Sequence, residues 1–438
     1  MCSARAIGCV KLPSWVLLMV TVVCLRCCNA VADPSTDVPV MVSTVSRFTI
    51  GVYDMTVDSN GNILYVSSSR NGVYRLAANG SVVLLAGSSS GTGGAADGVG
   101  SLASFNLPRA ITCDTANNIV YIADNSNCRI RTLTLATNNV TTLAGSSLGY
   151  RNGIGCDAQF VYPWGIVFHS SGVLYITENY YSGGAYYSNI RKIFVAVANV
   201  TTVVPSVGYY FSYNLCVNTL GTVLYVSTSY IILQVDASSG MKIPLAGSFG
   251  VEGSRDGVGT VALFNGAAGI ALNSNESALI IADVNGLRIR MLEIASRNVT
   301  TIAGSSAGGS RDGPGLTATF SFPYGVKWYC NVSLASCDVC WSLTPTTMRC
   351  ASCQLRVCRL QQMHCQWRQR QRCRTRSQIL SLSRPHGRCP HRAQSVPQYQ
   401  SQSTSQPPIP GRCMLPALYR APKLEVHRLQ MRQRSRCR

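Results

Sequence analysis

A four-segment unit that repeats roughly every 55 residues constrains this chain more than any other feature. In its clearest copy, between Arg109 and Pro163, each segment is short, rich in β-branched residues and closed by Asn, Asp or Gly. These segments are 110–114, 119–124, 129–133 and 140–145. Such a pattern predicts four strands joined by tight turns. One sheet of this kind cannot bury its own faces, so the unit requires neighbouring copies of itself.

The same marks recur in register along the chain. An Asp-Gly or Asn-Gly pair begins eight residues before a phenylalanine in four copies. The pairs are Asp97 with Phe105, Asn152 with Phe160, Asp256 with Phe264, and Asp312 with Phe320. No copy holds an apolar 3.6-residue period of useful length, which excludes a helical solenoid. The repeat therefore predicts an all-β chain whose four-stranded units are the blades of a β-propeller.

At these residues the chain resembles the NHL-repeat family. The marks are Gly-Ile-x-x-Asp, Leu-Tyr-Ile-Ala-Asp and Arg-Ile-Arg, and they are best matched by residues 109–131 and 268–290. The resemblance covers roughly residues 42–329. It implies a propeller scaffold for interaction and brings no catalytic residue and no cofactor, because propellers host unrelated activities.

Five sets of four strands are complete in the sequence, and two fragments remain. Residues 42–45 resemble an outermost strand, and 324–326 resemble an innermost one. A single sheet built from both fragments would close the ring and remove its open edges. This favours six blades, although the two middle strands of the last blade are not recognisable after Cys330.

We predict four regions. Residues 1–32 have the basic start, apolar run and small-residue cleavage site of a signal peptide, and the apolar run is too short to span a membrane. Residues 33–329 form the propeller, 330–353 begin a cysteine-rich module, and 354–438 are a basic tail. The protein is therefore expected to be secreted or extracellular, with a membrane anchor in a downstream segment left as an alternative.

The charge is unevenly distributed between these regions. The formal net charge is +20. The propeller nevertheless holds 16 basic and 16 acidic residues, whereas the tail holds 17 Arg, one Lys and one Glu. A neutral propeller argues against nucleic acid as a partner. The tail, rich in Arg and Gln, is either disordered or a cysteine-rich repeat translated out of frame, and we assign it no function.

Cysteine spacing favours disulfides over zinc. Cys337, Cys340, Cys350 and Cys353 form two Cys-x-x-Cys pairs. Behind a signal peptide such pairs indicate disulfides. Within the propeller, Cys128 and Cys156 lie in loops expected on one face, which makes a disulfide between them plausible.

The sequence offers few residues for catalysis. His169 is the one histidine of residues 33–329, so a three-histidine metal site cannot be assembled there. Asp124, Glu178 and Asp283 share one repeat position, where they could ring the channel mouth around a cation or, more simply, cap the next turn. We expect no enzyme, no metal and no cofactor. The alternative is a hydrolase or lyase that uses a cation in the channel.

Six Asn-x-Ser/Thr signals predict N-glycosylation. They are Asn79, Asn139, Asn199, Asn275, Asn298 and Asn331. All lie in the first-to-second or third-to-fourth strand turns, which share one face of a propeller. The opposite face carries no such signal, so we expect it to be free of glycans.

The glycan-free face has one irregular blade. A long loop, 179–189, carries Tyr180, Tyr181, Tyr186 and Tyr187, and a short loop nearby carries Tyr209 and Tyr210. Tyrosine with Ser, Gly and Asn is typical of recognition loops. We predict that these tyrosines bind a protein or glycan ligand. Packing of the tyrosines on one another is an equally open and compatible explanation.

Overall fold

The computed structural model describes residues 25–26, 40–47, 51–76, 81–183, 185–208, 211–330, 337–343 and 347–352. Five complete four-stranded antiparallel sheets follow one another along the chain, which confirms the all-β propeller prediction. Helical turns in these residues are short 3-10 segments. They are Gly100–Leu102, Asn125–Asn127, Gly155–Asp157, Val195–Val197, Gly259–Val261 and Gly315–Thr317.

Each blade runs in sequence order from an innermost to an outermost strand. Blade 1 comprises Asp54–Val57, Ile63–Ser67, Gly72–Leu76 and Val82–Gly87. Blade 2 comprises Pro108–Asp114, Ile119–Asp124, Arg129–Thr134 and Asn139–Ala144. Blade 3 comprises Pro163–His169, Val173–Ser182, Ala185–Phe194 and Asn199–Gly208. Blade 4 comprises Ser212–Val217, Val223–Thr228, Ile231–Asp236 and Lys242–Gly247. Blade 5 comprises Ala267–Leu272, Ala278–Asp283, Arg288–Glu293 and Asn298–Ala303.

The core lies between neighbouring blades. Alternate β-branched and aromatic residues of each sheet pack against the next one, as in the cluster that joins Leu64 and Val66 of blade 1 to Ile111, Ile122 and Leu133 of blade 2. Equivalent clusters join blades 2 and 3, 3 and 4, and 4 and 5. Each sheet is thus buried on both faces by its neighbours, which is why an isolated unit could not fold.

Two-residue strands extend several blades outward. Gly98–Val99, Gly153–Ile154 and Gly257–Val258 each pair with an outermost strand as a fifth strand. They belong to the Asp-Gly or Asn-Gly marks of the sequence. The glycine is needed, because Gly98 and Gly257 have φ values of 149° and 148°, in the region that side chains disfavour.

A sixth sheet draws strands from both ends of the propeller. Val326–Cys330 pairs with Cys337–Leu343, which pairs with Thr347–Ser352, and Met41–Arg47 completes the order. Gly313–Pro314 pairs with Met41–Arg47 as the two-residue fifth strand, and Leu25–Arg26 pairs with Cys337–Leu343. The stretch predicted to begin a cysteine-rich module, 330–353, therefore contributes two strands here.

One polar contact marks residues 41–47 as an outermost strand. In blade 2, Asp97 accepts hydrogen bonds from the backbone N–H and hydroxyl of Thr142, at 3.1 and 3.0 Å. Asp312 accepts the same two bonds from Thr44, at 2.9 and 2.8 Å. Val42 also joins Val326 in a core cluster shared with blades 5 and 1.

The turns sort onto two faces. First-to-second strand turns bond third-to-fourth strand turns within a blade, as Leu135 N–H does to Asn118 and Val195 N–H to Gly172. Second-to-third strand turns bond the inter-blade loops, as Ser126 N–H does to Asn106. We call the first the glycan-signal face and the second the loop face.

Candidate ligand-binding face

The tyrosine-rich stretch of blade 3 is a β-hairpin and not a loop. The ladder continues without a break from Val173 paired with Phe194 to Ser182 paired with Ala185. The prediction of a loop over 179–189 was wrong because Ser, Gly and Asn suggested a turn, whereas tyrosines at two consecutive cross-strand pairs extend the ladder. Gly183 lies in the turn that follows the last ladder pair. The structure therefore presents the four tyrosines on a hairpin that projects from the loop face.

Aromatic pairs hold this hairpin together. Tyr180 stacks on Tyr187 with ring centroids 4.9 Å apart, and Tyr181 packs on Tyr186 at 5.0 Å. Tyr150 of the preceding loop meets Tyr180 edge-on at 4.9 Å. Tyr181 and Tyr186 nevertheless stay 64% and 47% exposed. The tyrosines thus both pack on one another and present aromatic surface.

At its base, the hairpin is anchored to blade 4. Asn179 Nδ2 donates to Ser212 O, and Ser212 N–H donates back to Asn179 Oδ1, both at 2.9 Å. Tyr186 also contacts Phe211 at 5.4 Å. Of the short neighbouring loop, Tyr209 and Tyr210 lie outside the described residues, so their predicted role stays a prediction.

The aromatic surface continues to the channel mouth, which sequence reasoning missed. Phe211 contacts Trp164 and Tyr213, with centroids 4.6 and 4.8 Å apart. Trp164 and Tyr213 belong to a set of equivalent residues, one at the start of the innermost strand of each sheet. This set, which we call the mouth ring, is Tyr53, Arg109, Trp164, Tyr213, Ala268 and Tyr324. The signal was present in the sequence, since each member directly precedes the Gly-Ile position of the repeat or its counterpart.

The mouth ring holds one cation. The guanidinium carbon of Arg109 lies 4.4 Å from the centroid of the Tyr53 ring and 4.3 Å from that of Trp164. Tyr53 in turn contacts Tyr324 at 5.3 Å. Arg109 is therefore sandwiched between two aromatic faces, an arrangement that stabilises and orients it.

A polar layer lies directly beneath the mouth ring. Asp54 and Asn214 line a cavity of about 20 Å³, enough for one water molecule, together with the ring residues. Asp54 is 2% exposed. One carboxylate oxygen accepts from Ile111 N–H at 3.1 Å, and the other has no partner. Burial raises the pKa of Asp54, outweighing the nearby positive charge of Lys327.

The repeated acids Asp124, Glu178 and Asp283 do not ring the channel. Each is fully buried and ion-paired within its blade, to Arg131, Arg191 and Arg290 at 2.7, 3.0 and 2.9 Å. Each also accepts a backbone N–H from the loop that leads into its blade, as Asp124 does from Asn106 at 2.8 Å. They brace that loop, which agrees with the favoured structural role and rules against the alternative of a cation ring at these residues: the Arg-Ile-Arg mark supplies the partner in blades 2 and 5.

Metal-binding and histidine sites can be checked over the part of the chain that is described. There, no three His, Cys, Asp or Glu side chains come together as a potential metal site. His169 ends the innermost strand of blade 3, where Nδ1 is 2.7 Å from the Ser171 hydroxyl and Nε2 is 3.0 Å from Thr219 O.

The predicted disulfide between Cys128 and Cys156 is not formed, because Cys128 is a free, buried thiol. It occupies the left-handed position that closes the Asn125–Asn127 turn. Cys113 and Cys216 are also free, and burial raises the pKa of each thiol to about 12, which keeps them unreactive. Cys337, Cys340 and Cys350 lie in strands of the sixth sheet, and Cys353 lies outside the described residues.

Three glycosylation signals occupy one structural position. Asn139, Asn199 and Asn298 begin outermost strands, opposite Val99, Ile154 and Val258 of the fifth strands. Those three aliphatic residues are 52%, 54% and 55% exposed. Asn275 lies in the exposed turn before Ala278–Asp283. Asn79 and Asn331 lie outside the described residues.

No helix in the described residues is long and apolar enough to cross a membrane.

Comparisons with known proteins support the resemblance to NHL-repeat proteins. No protein-family model matches the chain. Suppressor of quenching 1, chloroplastic, from Arabidopsis thaliana is 26% identical over 301 residues, which cover 62% of this chain and 28% of that protein. NHL repeat-containing protein 2 from Gallus gallus is 25% identical over 290 residues, with shares of 63% and 35%. The chain spans about a third of the length of these relatives.

Solved structures show the same fold. An auxiliary nutrient binding protein from Bacteroides ovatus aligns with a TM-score of 0.55 and 14% identity, over 73% of this chain and 78% of that one. Its counterpart from Bacteroides thetaiotaomicron gives 0.53 and 16%, over 72% and 76%. At these identities the likeness concerns the fold alone. With repeated blades in register and curated relatives named for the repeat, this chain is a β-propeller that resembles NHL-repeat proteins.

Proposed function

We propose that this protein is a secreted or surface glycoprotein that binds a protein or glycan through its loop face, without catalysis. The observation that carries the proposal is the aromatic surface that runs from the blade 3 hairpin to the channel mouth. Of the hairpin tyrosines, Tyr181 and Tyr186 are the most exposed. Large aromatic side chains with few torsions are what interface hot spots favour.

The hairpin makes this surface economical for binding. Ordering of flexible side chains and loops on association opposes affinity. Here the backbone is already fixed by ladder pairs from residue 173 to residue 194, and the base is fixed by the Asn179–Ser212 hydrogen bonds. The tyrosines are thus held before any ligand arrives.

The arrangement of glycosylation signals supports the same face. Asn139, Asn199 and Asn298 begin strands at third-to-fourth turns, and Asn275 lies in a first-to-second turn. These positions belong to the glycan-signal face. Sugars there would leave the loop face open to a partner.

Screening against an array of defined glycans and recombinant extracellular protein domains tests the proposal. The full chain is expressed through a secretory route and compared with the double variant Tyr181→Ala/Tyr186→Ala. Binding to an array member should weaken at least tenfold in the variant, a typical hot-spot effect, with little change in melting temperature. Arg255→Ala, which removes an exposed side chain from the loop between blades 4 and 5, is the control. A lower melting temperature with unchanged binding would show that the tyrosines only pack.

A further inference from the structure

We infer that the channel mouth is a binding site for a small sugar that carries a carboxylate, with Arg109 as the anchor of that carboxylate. This inference rests on the proposed binding role of the loop face and deepens it. It names a ligand class and a second location, some distance inward from the exposed tyrosines.

Arg109, which is half-buried, differs from the buried arginines of the blades. Arg131, Arg191 and Arg290 each bond a carboxylate and at least two further oxygen atoms. The guanidinium of Arg109 instead lies over the rings of Tyr53 and Trp164. Its guanidinium is thus held in place but not neutralised by a carboxylate among the described residues.

With the two rings against it, the guanidinium can be approached by a ligand only along its edge. Tyr53 and Trp164 cover its two faces, so its N–H donors lie in the plane between them. A planar fork of donors matches a carboxylate, which it can bind through two parallel hydrogen bonds. A flexible, strongly hydrated lysine would not supply that geometry.

The residues around Arg109 suit a ligand that has both an apolar face and hydroxyl groups. Trp164, Tyr213 and Tyr324 supply aromatic walls, and Ala268 leaves a gap where a sixth large side chain would stand. Beneath them, the free oxygen of Asp54 is buried and lines the cavity. Since the cavity holds one water-sized group, the ligand lies across the ring and only a hydroxyl can enter.

Asp54 does not oppose an anionic ligand as strongly as a surface carboxylate would. Burial raises its pKa and so disfavours its charged form. Its unpartnered oxygen can exchange a hydrogen bond with a sugar hydroxyl in either state. A uronic acid combines these features: a carboxylate, a hydroxylated ring and an apolar ring face.

Titration of the full secreted chain with glucuronate tests the assignment. Trp164 is the tryptophan that lines the mouth, so its fluorescence should change on binding, and calorimetry gives the affinity. Glucuronate should bind at least tenfold more tightly than glucose and more tightly than glucose 6-phosphate. Raising the ionic strength should weaken the binding of glucuronate and leave the binding of glucose unchanged. Equal affinities for glucuronate and glucose, or a preference for the phosphate, would overturn the carboxylate assignment.

Substitution locates the anchor. Arg109→Met should remove the preference for glucuronate over glucose, and Arg109→Lys should restore only part of it. Arg70→Met, which removes an exposed arginine on the same face, should leave the preference intact. If Arg109→Met does not fold, two other results test the anchor: the partial loss of the preference for glucuronate in Arg109→Lys, and the effect of ionic strength on glucuronate binding. Unchanged preference in Arg109→Lys would refute the bidentate anchor.

The two proposals fail in different ways. If Tyr181→Ala/Tyr186→Ala abolishes array binding while glucuronate does not bind the mouth, the hairpin surface stands and this inference falls. If glucuronate binds through Arg109 while the double tyrosine variant binds array members normally, the mouth site stands and the hairpin proposal falls.

Discussion

The buried ion pair of blade 2 gives the sharpest test of how a blade is held together. Arg131 is fully buried and donates to Asp124, Asp97 and two carbonyl oxygens at 2.7–3.0 Å. Asp124, also fully buried, further accepts from Asn106 N–H and Asn127 Nδ2, both at 2.8 Å. Blade 4 has Thr228 and Leu233 at the positions of Asp124 and Arg131, so the chain itself contains an uncharged version of this site.

These contacts set the expected magnitudes. Asp124→Ala leaves a buried guanidinium with only Asp97 as a charged partner, and it leaves two N–H groups without an acceptor. Breaking such a pair costs about 3–5 kcal/mol of unfolding free energy. Arg131→Leu alone leaves a buried carboxylate and should cost about as much. The double variant Asp124→Thr/Arg131→Leu copies blade 4 and should cost only about 1–3 kcal/mol, far less than the sum.

Urea unfolding of the secreted chain, followed by circular dichroism, measures these differences. Glu252→Ala removes an exposed acid that accepts from the Tyr230 hydroxyl, and it should stay within about 0.5 kcal/mol of the parent. If the two single changes add in the double variant, the pair does not act as a unit. A cost of less than 1 kcal/mol for Asp124→Ala would likewise refute the bracing role.

Three further outcomes are expected. Thr44→Val removes one of the two hydrogen bonds to Asp312 and should lower unfolding free energy by about 1 kcal/mol; no change in urea midpoint would argue against closure through residues 41–47. The raised pKa of Asp54 means that the parent protein loses stability as pH rises above the ordinary carboxyl pKa. Asp54→Asn should therefore be increasingly more stable than the parent over that range. A difference between the two urea midpoints that does not change with pH would contradict this. Each of three substitutions should remove one glycan and so increase mobility on gel electrophoresis: Asn139→Gln, Asn199→Gln and Asn298→Gln. Together they should increase aggregation, because the neighbouring Val99, Ile154 and Val258 are exposed. Unchanged mobility would rule out glycosylation at these sites.

Much of the fold could be predicted because the repeated residues are those that specific backbone conformations require. Tight turns need Asn, Asp or Gly, and strands between packed sheets need β-branched and aromatic residues, so blade positions follow from the sequence. The partner of Asp124 was harder to predict. Both members of the Arg131–Asp124 pair were visible in the family marks, but only the cross-strand register, with Arg131 opposite Ile122, brings them together.

The hairpin and the mouth ring show two different limits. Residues 179–189 read as a loop because composition does not reveal that Tyr180 pairs with Tyr187 and Tyr181 with Tyr186. The mouth ring was missed because successive members are 49–56 residues apart and chemically dissimilar. Only closure of the ring places Tyr53 and Trp164 on either side of Arg109.

Chemistry in the channel follows from how the blades differ. At the position after the mouth ring, neighbouring innermost strands approach closely, and a Cβ on Gly165 would lie 2.7 Å from Tyr213 O. Small residues therefore stand there in blades 2, 3 and 5, the three blades braced by a buried arginine. Asp54 and Asn214 break that rule, and they belong to blades 1 and 4, which lack such an arginine. The two polar side chains at this position thus come from the two blades that lack a buried arginine, and Arg109 of the mouth ring lines the same cavity. Relaxed structural constraint alone would place such departures from the repeat at unrelated positions. Here they lie together beneath the mouth ring, as expected of a binding site.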